Sequence, residues 1–434
     1  MKKRLLSMFF AGIMVIGLLV GCIKDEPQTS KGNDETPKTN ETVAAKTVDE
    51  NWGDMTWDEV LAEAKGQSVN WYMWGGSAIV NSFVDTVVAG KAAEYGIKIN
   101  RVGVTAISEA INKVMGEKTA GKNTGGEVDL IWINGANFMT MKQSDVLFGP
   151  WSEDIENAKL VNWEEPTIKY DMGFLVEGHE SPWGNAQMQM IYDSEHYSID
   201  ELPQNFTELL EWCKANPGRF TYMALPDFKG TRFVKQILYE LTGGYEQYMR
   251  DDITKEEFAE MSAPVWEYLK ELSPYLWRKG KTYPKSTSEL DKLYSNNEVG
   301  FSMTLNGGGI SSAIKAGIYT ETSRVYTMET SIGDVNYVAI PYNSNAKAAA
   351  MVIANILIDP STQAQAITDI SYRPVIDSTR LSEEELNEIK KGFGKLIKGA
   401  YVEEEELLRN RVPEVSGYLN VFINELWTEK IGSK

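Results

Sequence analysis

Cysteine, histidine and long apolar runs are all scarce in this chain of 434 residues. The two cysteines are Cys22 and Cys213, and the two histidines are His179 and His196. A disulfide framework and a histidine-based metal site are therefore excluded as the source of stability or chemistry. Residues 5–20 form an apolar run that is short for a bilayer span, which needs ~20 residues.

Positive charge is also in deficit, since the chain has 43 Lys and Arg against 62 Asp and Glu and a net charge of -19. No basic patch is visible that would neutralise phosphates, so we expect no nucleic-acid partner. Most of the acidic groups belong to a solvated surface. The balance weakly favours a cationic ligand.

The first 22 residues have the pattern of an export signal. A basic start (Met1-Lys2-Lys3-Arg4) precedes the apolar run, which ends at Gly21-Cys22. This resembles a bacterial lipoprotein signal, so we expect residues 1–21 to be a signal peptide and Cys22 to carry a lipid such as palmitate. The alternative is an uncleaved membrane anchor. Both place the protein outside the cytoplasm and tether it to the cell membrane.

After the signal, residues 22–50 are rich in Lys, Asp, Glu, Thr and Asn, which predicts a flexible tether. Strand patterns at residues 69–73 and 128–133 then alternate with helical periodicity. A second such set, including a strand at residues 220–224, occupies the middle of the chain. The alternation predicts an α/β fold with a mainly parallel sheet. The pattern of residues 381–408 predicts helix with charged, Glu-rich faces.

Several segments resemble the solute-binding lipoproteins of ABC importers, in particular the YnjB-type branch, which lies near the thiamine, polyamine and iron binding proteins. The segments are Trp74-Gly75-Gly76, Gly125 to Gly135, Glu180-Ser181-Pro182-Trp183-Gly184, Ala215-Asn216-Pro217-Gly218, Pro226-Asp227-Phe228, Pro274 to Arg278 and Gly333-Asp334-Val335.

The resemblance implies a two-lobed periplasmic-binding-protein fold (type II, Venus-flytrap) with a hinge between the lobes. Residues 51–186 and 330–434 would form lobe 1, and residues 187–329 would form lobe 2. It further implies an extracellular monomer that captures a small molecule between the lobes. Its partners would be an ABC permease and its ATPase.

Ligands of open α/β sheets bind beyond the carboxyl ends of the strands, and the candidate ligand residues follow such ends or begin helices. Two are tryptophans, whose faces stack on rings or cations; core packing is the alternative for both. Turn formation or helix capping is the alternative for the polar candidates. The candidates are Trp74, Gly75, Gly76, Ser77, Asn134, Gly135, Trp183, Asp227, Thr231 and Asn306.

We expect no catalytic residue, metal or cofactor, because the sequence contains no nucleophile elbow and no paired cysteine motif. A lipid-anchored carbohydrate-active enzyme remains an alternative, since a retaining glycosidase needs only two carboxyls about 5 Å apart in a cleft. An adhesin is a further alternative. The ligand is expected to be cationic or aromatic, and a sugar remains open.

Overall fold

The structure, a computed structural model, describes residues 52–432. The predicted signal peptide, Cys22 and most of the predicted tether lie outside these residues. In the described part of the chain, no helix has both the length and the apolar content needed to cross a membrane.

Within residues 52–432, eleven strands are distributed between two main sheets and one short hairpin. They are β1 (Ser68–Trp74), β2 (Lys98–Val104), β3 (Leu130–Ile133), β4 (Tyr170–Asp171), β5 (Phe174–Leu175), β6 (Glu180–Gln187), β7 (Gln189–Asp193), β8 (Phe301–Thr304), β9 (Ser323–Tyr326), β10 (Ser331–Ala339) and β11 (Arg411–Pro413).

The α-helices cover the sheets and fill the intervals between them. They are α1 (Trp57–Ala64), α2 (Ala78–Phe83), α3 (Ala89–Glu94), α4 (Ser108–Thr119), α5 (Gly135–Gln143), α6 (Pro166–Lys169), α7 (Phe206–Ala215), α8 (Phe228–Thr242), α9 (Lys255–Met261), α10 (Ala263–Leu272), α11 (Thr287–Ser295), α12 (Gly309–Lys315), α13 (Lys347–Leu357), α14 (Pro360–Asp369), α15 (Glu383–Phe393), α16 (Glu404–Asn410) and α17 (Leu419–Trp427).

The larger sheet has the order β11-β10-β3-β1-β2, and β6 pairs with β10. Strand β1 lies parallel to both β2 and β3, as the alternation of strands and helices predicts, whereas β10 is antiparallel to β3 and β6. Buried side chains alternate along β1, and all four residues of β3 are buried. A strand covered on both faces reads as a continuous apolar run, which explains the sequence of β3.

The smaller sheet has the order β8-β7-β9, and both pairings are antiparallel. One predicted strand is wrong: residues 220–224 have no strand structure, although residues 220–223 are buried. Two of their backbone hydrogen bonds go to separate segments, from Trp277 N to Phe220 O and from Ala224 N to Pro284 O. Hydrophobicity alone does not distinguish a buried strand from a buried irregular segment, because register with a neighbour is what makes a strand.

Apolar side chains form two separate cores. The first contains residues from Val60 to Trp183 and from Val335 to Ile389. The second contains residues from Met188 to Ile332 and from Ala400 to Ile431. The chain passes between them through β6 and β7, through β10, and again after α15. This arrangement is a mixed α/β fold of two lobes joined by crossing segments.

The packing of the C-terminal residues differs from the expected lobe 1 of residues 51–186 and 330–434. Side chains from Ala400 to Ile431 pack in the second core, and the change falls between Leu396, on the first core, and Ile397, on the second. We therefore propose that lobe 2 consists of residues 188–332 and 397–432. The Glu-rich sequence of this region indicates that one helix face is exposed. It does not indicate which of the two cores the opposite face packs against.

Trp183 lies in the first core with only 1% of its surface exposed. Its ring meets Trp132 edge-on at 5.1 Å between centroids and Trp71 at 6.2 Å, and it leans on Tyr372 at 5.1 Å. Such aromatic packing is a large part of a core's stability. The structure thus supports the core alternative for Trp183 rather than a place on the ligand-facing surface.

We predict that Trp183→Ala lowers the free energy of unfolding by about 3–5 kcal/mol, because it removes a large buried ring and leaves a cavity. Trp74→Ala is the matched control, since Trp74 is 45% exposed, and its cost should be about 0.5 kcal/mol or less. Urea unfolding followed by circular dichroism measures both. A small loss for Trp183→Ala would contradict its place in the core.

Candidate functional site

The first group of candidate residues lies where β1 ends. Trp74 is the last residue of the strand, and Ser77 caps α2 by accepting a hydrogen bond from Val80 N at 3.4 Å. Between them, Gly75 O accepts a 2.9 Å bond from Asn81 Nδ2. The predicted cap is confirmed, and the turn is held by the helix that follows it.

Gly76 has no room for a side chain, because a Cβ there would lie 2.1 Å from the indole of Trp74. The ring therefore covers the turn, while 45% of its surface remains exposed. An indole held on one face and open elsewhere keeps a flat surface available for stacking. This arrangement is compatible with the ligand-facing position proposed for Trp74.

Asn134 and Gly135 follow β3, the strand next to β1, so both groups lie at the same edge of the sheet. Asn134 occupies the N-cap position of α5 without a capping bond from its side chain. The Asp171 carboxylate performs that role and accepts a hydrogen bond from Gly135 N. Gly135 has a φ of 51°, and a Cβ there would collide with Met172.

Two buried carboxyl groups lie behind this helix end. Burial raises the pKa of Asp171 to about 8, opposed by the bond from Gly135. Burial also raises the pKa of Glu180 well above its usual range, and neither of its carboxyl oxygens has a hydrogen-bond partner within residues 52–432. Because the folded pKa of Asp171 is raised, its contribution to stability is fully present below about pH 4 and is lost as the pH rises to about 8.

On the second lobe, Asp227 caps α8 and accepts bonds from Lys229 N at 2.9 Å and Gly230 N at 3.1 Å. The capping alternative for Asp227 is therefore confirmed. Thr231 does not begin the helix: it lies in the first turn, is 4% exposed, and its hydroxyl donates a 3.0 Å bond to Asn424 Oδ1. The exposed residue at this helix end is Phe228, with 47% of its surface accessible.

Asn306 follows β8 and is partly buried. Its backbone N–H donates to Thr304 Oγ1 at 3.1 Å, as expected for a turn. Its side-chain Oδ1 is enclosed and has no hydrogen-bond partner in the described residues. A buried acceptor of this kind is costly unless another donor reaches it.

Where β10 crosses from one lobe to the other, a buried network of charges connects α8 to β10 and to the segment that follows β11. Arg232 is fully buried; its Nε donates to Glu414 Oε2 at 2.9 Å, and its Nη2 lies 3.1 Å from Asp334 Oδ2. Lys235 pairs with the other oxygen of Glu414. The guanidinium also lies over the Phe228 ring at 4.4 Å. We call Arg232, Lys235, Asp334 and Glu414 the interlobe charge network.

The two acids and two bases of this network depend on one another. Burial disfavours every charged form, but Lys235 and Arg232 still hold the pKa of Glu414 below its usual value. Likewise, despite burial, Asp334 and Glu414 hold the pKa of Arg232 above its usual value. A buried charge that loses its partner retains the desolvation cost without the attraction.

The segment that carries Glu414 belongs to lobe 2 and faces lobe 1. On one side, Val415 N donates to Tyr239 Oη of α8 at 3.2 Å. On the other side, Gly173 of lobe 1 is so close that a Cβ there would lie 3.0 Å from Ser416 N. Residues 414–418 thus separate the α8 side of the site from the α5 side.

The structure brings Trp74, Gly75, Gly76, Ser77, Asn134 and Gly135 to one edge of lobe 1, and it places Asp227, Thr231 and Asn306 on lobe 2. Arg232, Lys235, Asp334 and Glu414 were missed by sequence reasoning. Arg232 and Lys235 lie three residues apart in an apolar helical pattern, which was the available signal. Their partners are distant in the chain, so spacing did not reveal them.

Glu414→Gln should lower the free energy of unfolding by about 3–5 kcal/mol, because it leaves Lys235 and Arg232 with too little compensating charge. The control is Glu425→Gln, which breaks an exposed pair with Lys255 and should cost no more than about 1 kcal/mol. Thermal and urea unfolding at pH 7 give the comparison. Equal effects of the two changes would show that the network contributes no more than a surface ion pair.

Comparison with known proteins supports this architecture. A family model described as bacterial extracellular solute-binding protein matches residues 78–391. Protein YnjB of Escherichia coli (strain K12) is 38% identical over 310 residues, which cover 71% of this chain and 78% of YnjB.

Solved structures share the fold at low identity. An ABC transporter structure from Clostridium perfringens matches with a TM-score of 0.58 and 16% identity, over 84% of this chain and 99% of that one. The spermidine/putrescine substrate-binding protein PotD of Streptococcus pneumoniae matches with a TM-score of 0.56 and 15% identity, over 84% and 98%. These findings confirm the resemblance and favour solute binding over an enzyme or adhesin. The chain belongs to the family of bacterial extracellular solute-binding proteins.

Proposed function

We propose that this protein captures its solute between the two lobes and delivers it to an ABC permease driven by a cytoplasmic ATPase. Lobe 1 would contribute Trp74, Ser77 and Asn134, and lobe 2 would contribute Asp227 and Asn306. The observation that carries the proposal is the position of these groups on two cores joined by crossing segments. A solute that contacts both lobes favours the closed arrangement over the open one.

The proposed solute is a small cationic or aromatic molecule. Exposed aromatic faces occur on both lobes, at Trp74 and Phe228. The net charge of -19 favours the approach of cations. Two of the cationic side chains of α8, Arg232 and Lys235, are already paired with Glu414 and Asp334, so they add little positive potential at the site. We propose that the protein acts as a monomer without catalytic activity.

Trp74→Ala should weaken solute binding by about 1–3 kcal/mol, because stacking on the indole is lost. The solute is first found by thermal shift of the chain beginning at Lys24, against thiamine, polyamines, amino acids, oligosaccharides and metal ions. A ligand that raises the melting temperature and is recovered unaltered is a bound solute. Titration calorimetry with that ligand then compares the variants.

Tyr95→Ala is the matched control for this measurement. Tyr95 is 42% exposed and precedes β2, so it lies at the opposite edge of the sheet from Trp74. Its removal should leave affinity unchanged. If both variants bind like the parent protein, Trp74 is not a ligand residue, and turnover of a panel compound would contradict the transport proposal itself.

Membrane attachment is proposed to depend on a lipid at Cys22. Stable anchoring by acyl chains requires more than one chain or a second signal, which the diacylated cysteine of a lipoprotein meets. The tether of residues 22–50 would then separate the lobes from the membrane surface.

Cys22→Ser should shift the protein from the membrane fraction to the soluble fraction and abolish incorporation of labelled palmitate. Cys213→Ser is the control, because Cys213 is fully buried in lobe 2 and its thiol is not accessible for acylation. Fractionation and labelling in a bacterial host measure both properties. Membrane retention of an unlabelled Cys22→Ser protein would indicate an uncleaved anchor instead.

A further inference from the structure

A cavity beside the crossing strands contains two arginines that form no ion pair within residues 52–432. It is lined by segments of both lobes, including Asn185 of β6, Arg373 and Arg411 of β11. It holds about 740 Å³ of space free of protein atoms, its open mouth included. None of the candidate solute residues lines it, so the cavity is separate from the site described above.

Arg373 is 7% exposed, and its Nη2 donates a 2.7 Å bond to the backbone carbonyl of Val402. The face of its guanidinium lies over Phe393, with 4.5 Å between Cζ and the ring centroid. Burial lowers the pKa of Arg373 to about 10; the charges of Glu404 and Glu403 oppose this shift, and the positive charge of Arg411 adds to it. The net shift is downward, so the nearby carboxylates do not offset the burial of this guanidinium.

Arg411 is in a similar state. Its Nε donates a 3.0 Å bond to Gln187 Oε1, a neutral acceptor, and burial lowers its pKa against the opposing charges of Glu165 and Glu404. Within residues 52–432, no ion pair joins Arg373 or Arg411 to an acidic side chain. The contrast with Arg232, which has two carboxylate partners, is clear.

Asn185 supplies a third polar group. It is 2% exposed, lines the same cavity, and its Oδ1 has no hydrogen-bond partner among the described residues. A guanidinium offers five N–H donors in a planar fork that fits carboxylate or phosphate oxygens. The cavity therefore combines the N–H donors of two guanidinium groups with one free acceptor, the Asn185 Oδ1 atom.

From this geometry we propose that the cavity binds a small oxyanion, a carboxylate or a phosphate, between Arg373 and Arg411; where the anion has an O–H, as hydrogen phosphate does, Asn185 Oδ1 accepts a bond from it. The net charge of -19 repels anions from the general surface, so an anion is held only where donors are built for it. Glu165 and Glu404 also line the cavity. They limit the site to a molecule small enough to lie against the arginines alone.

Titration calorimetry of the chain beginning at Lys24, in phosphate-free buffer, tests the site with inorganic phosphate, sulfate and succinate. We expect about one molecule of at least one of these anions to bind per chain. Arg411→Gln and Arg373→Gln should each weaken that binding at least about tenfold, because each removes charge-assisted hydrogen bonds. Preference for phosphate or for succinate would identify the inorganic or the organic class.

Arg409→Gln is the matched control: Arg409 is exposed, changes the net charge equally and does not line the cavity. The anion affinity of the Arg409→Gln variant should stay within about twofold of that of the parent protein. Because Arg373 is buried and its replacement tests folding as well, Arg411→Lys serves as a second variant, and partial retention of affinity is expected.

Absence of binding by all three anions at millimolar concentration would overturn the proposal. So would an Arg409→Gln effect equal to that of Arg411→Gln, which would indicate surface charge only. The proposal is independent of the solute site, so Trp74→Ala should leave anion affinity unchanged. The two proposals can therefore fail separately: loss of solute binding does not predict loss of anion binding.

Discussion

The buried charge network between the lobes is the interaction on which the arrangement of the site depends. Arg232 and Lys235 on α8 are held by Glu414, which comes from a distant part of the chain, and by Asp334 in the crossing strand β10. Each charge would be costly alone in this environment, and together they compensate one another. The network therefore sets where residues 414–418 lie, and these residues separate the α5 side of the site from the α8 side.

The strand order explains why the candidate residues of lobe 1 lie together. Strands β1 and β3 are parallel neighbours, so the turns after them share one edge. Helices α2 and α5 begin at that edge and direct their N–H groups toward it. The crossing strand β10 then carries Asp334 from the first sheet toward α8. Strand order and helix direction therefore support the solute site that we propose between the lobes.

Structural elements that depend on neighbouring residues were predicted well from the sequence. The strand at β1, the cap at Ser77 and the helix α7 are set by nearby residues, and the structure contains all of them. Tertiary pairing was not predictable: Trp74 and Trp183 both occur in turn-like sequence, but only contacts with Trp71 and Trp132 place Trp183 in the core. Glu414, similarly, is one acid among many until its distance to Arg232 is known.

The same short segment serves both charged regions of the molecule. Arg411 points to Gln187 beside the anion cavity, whereas Glu414, three residues later, joins the interlobe charge network. Between them, β11 is fixed in register with β10 through the pairs Ser331↔Arg411 and Gly333↔Pro413. Because β10 is itself a crossing strand, this register places both charges beside the junction of the two lobes.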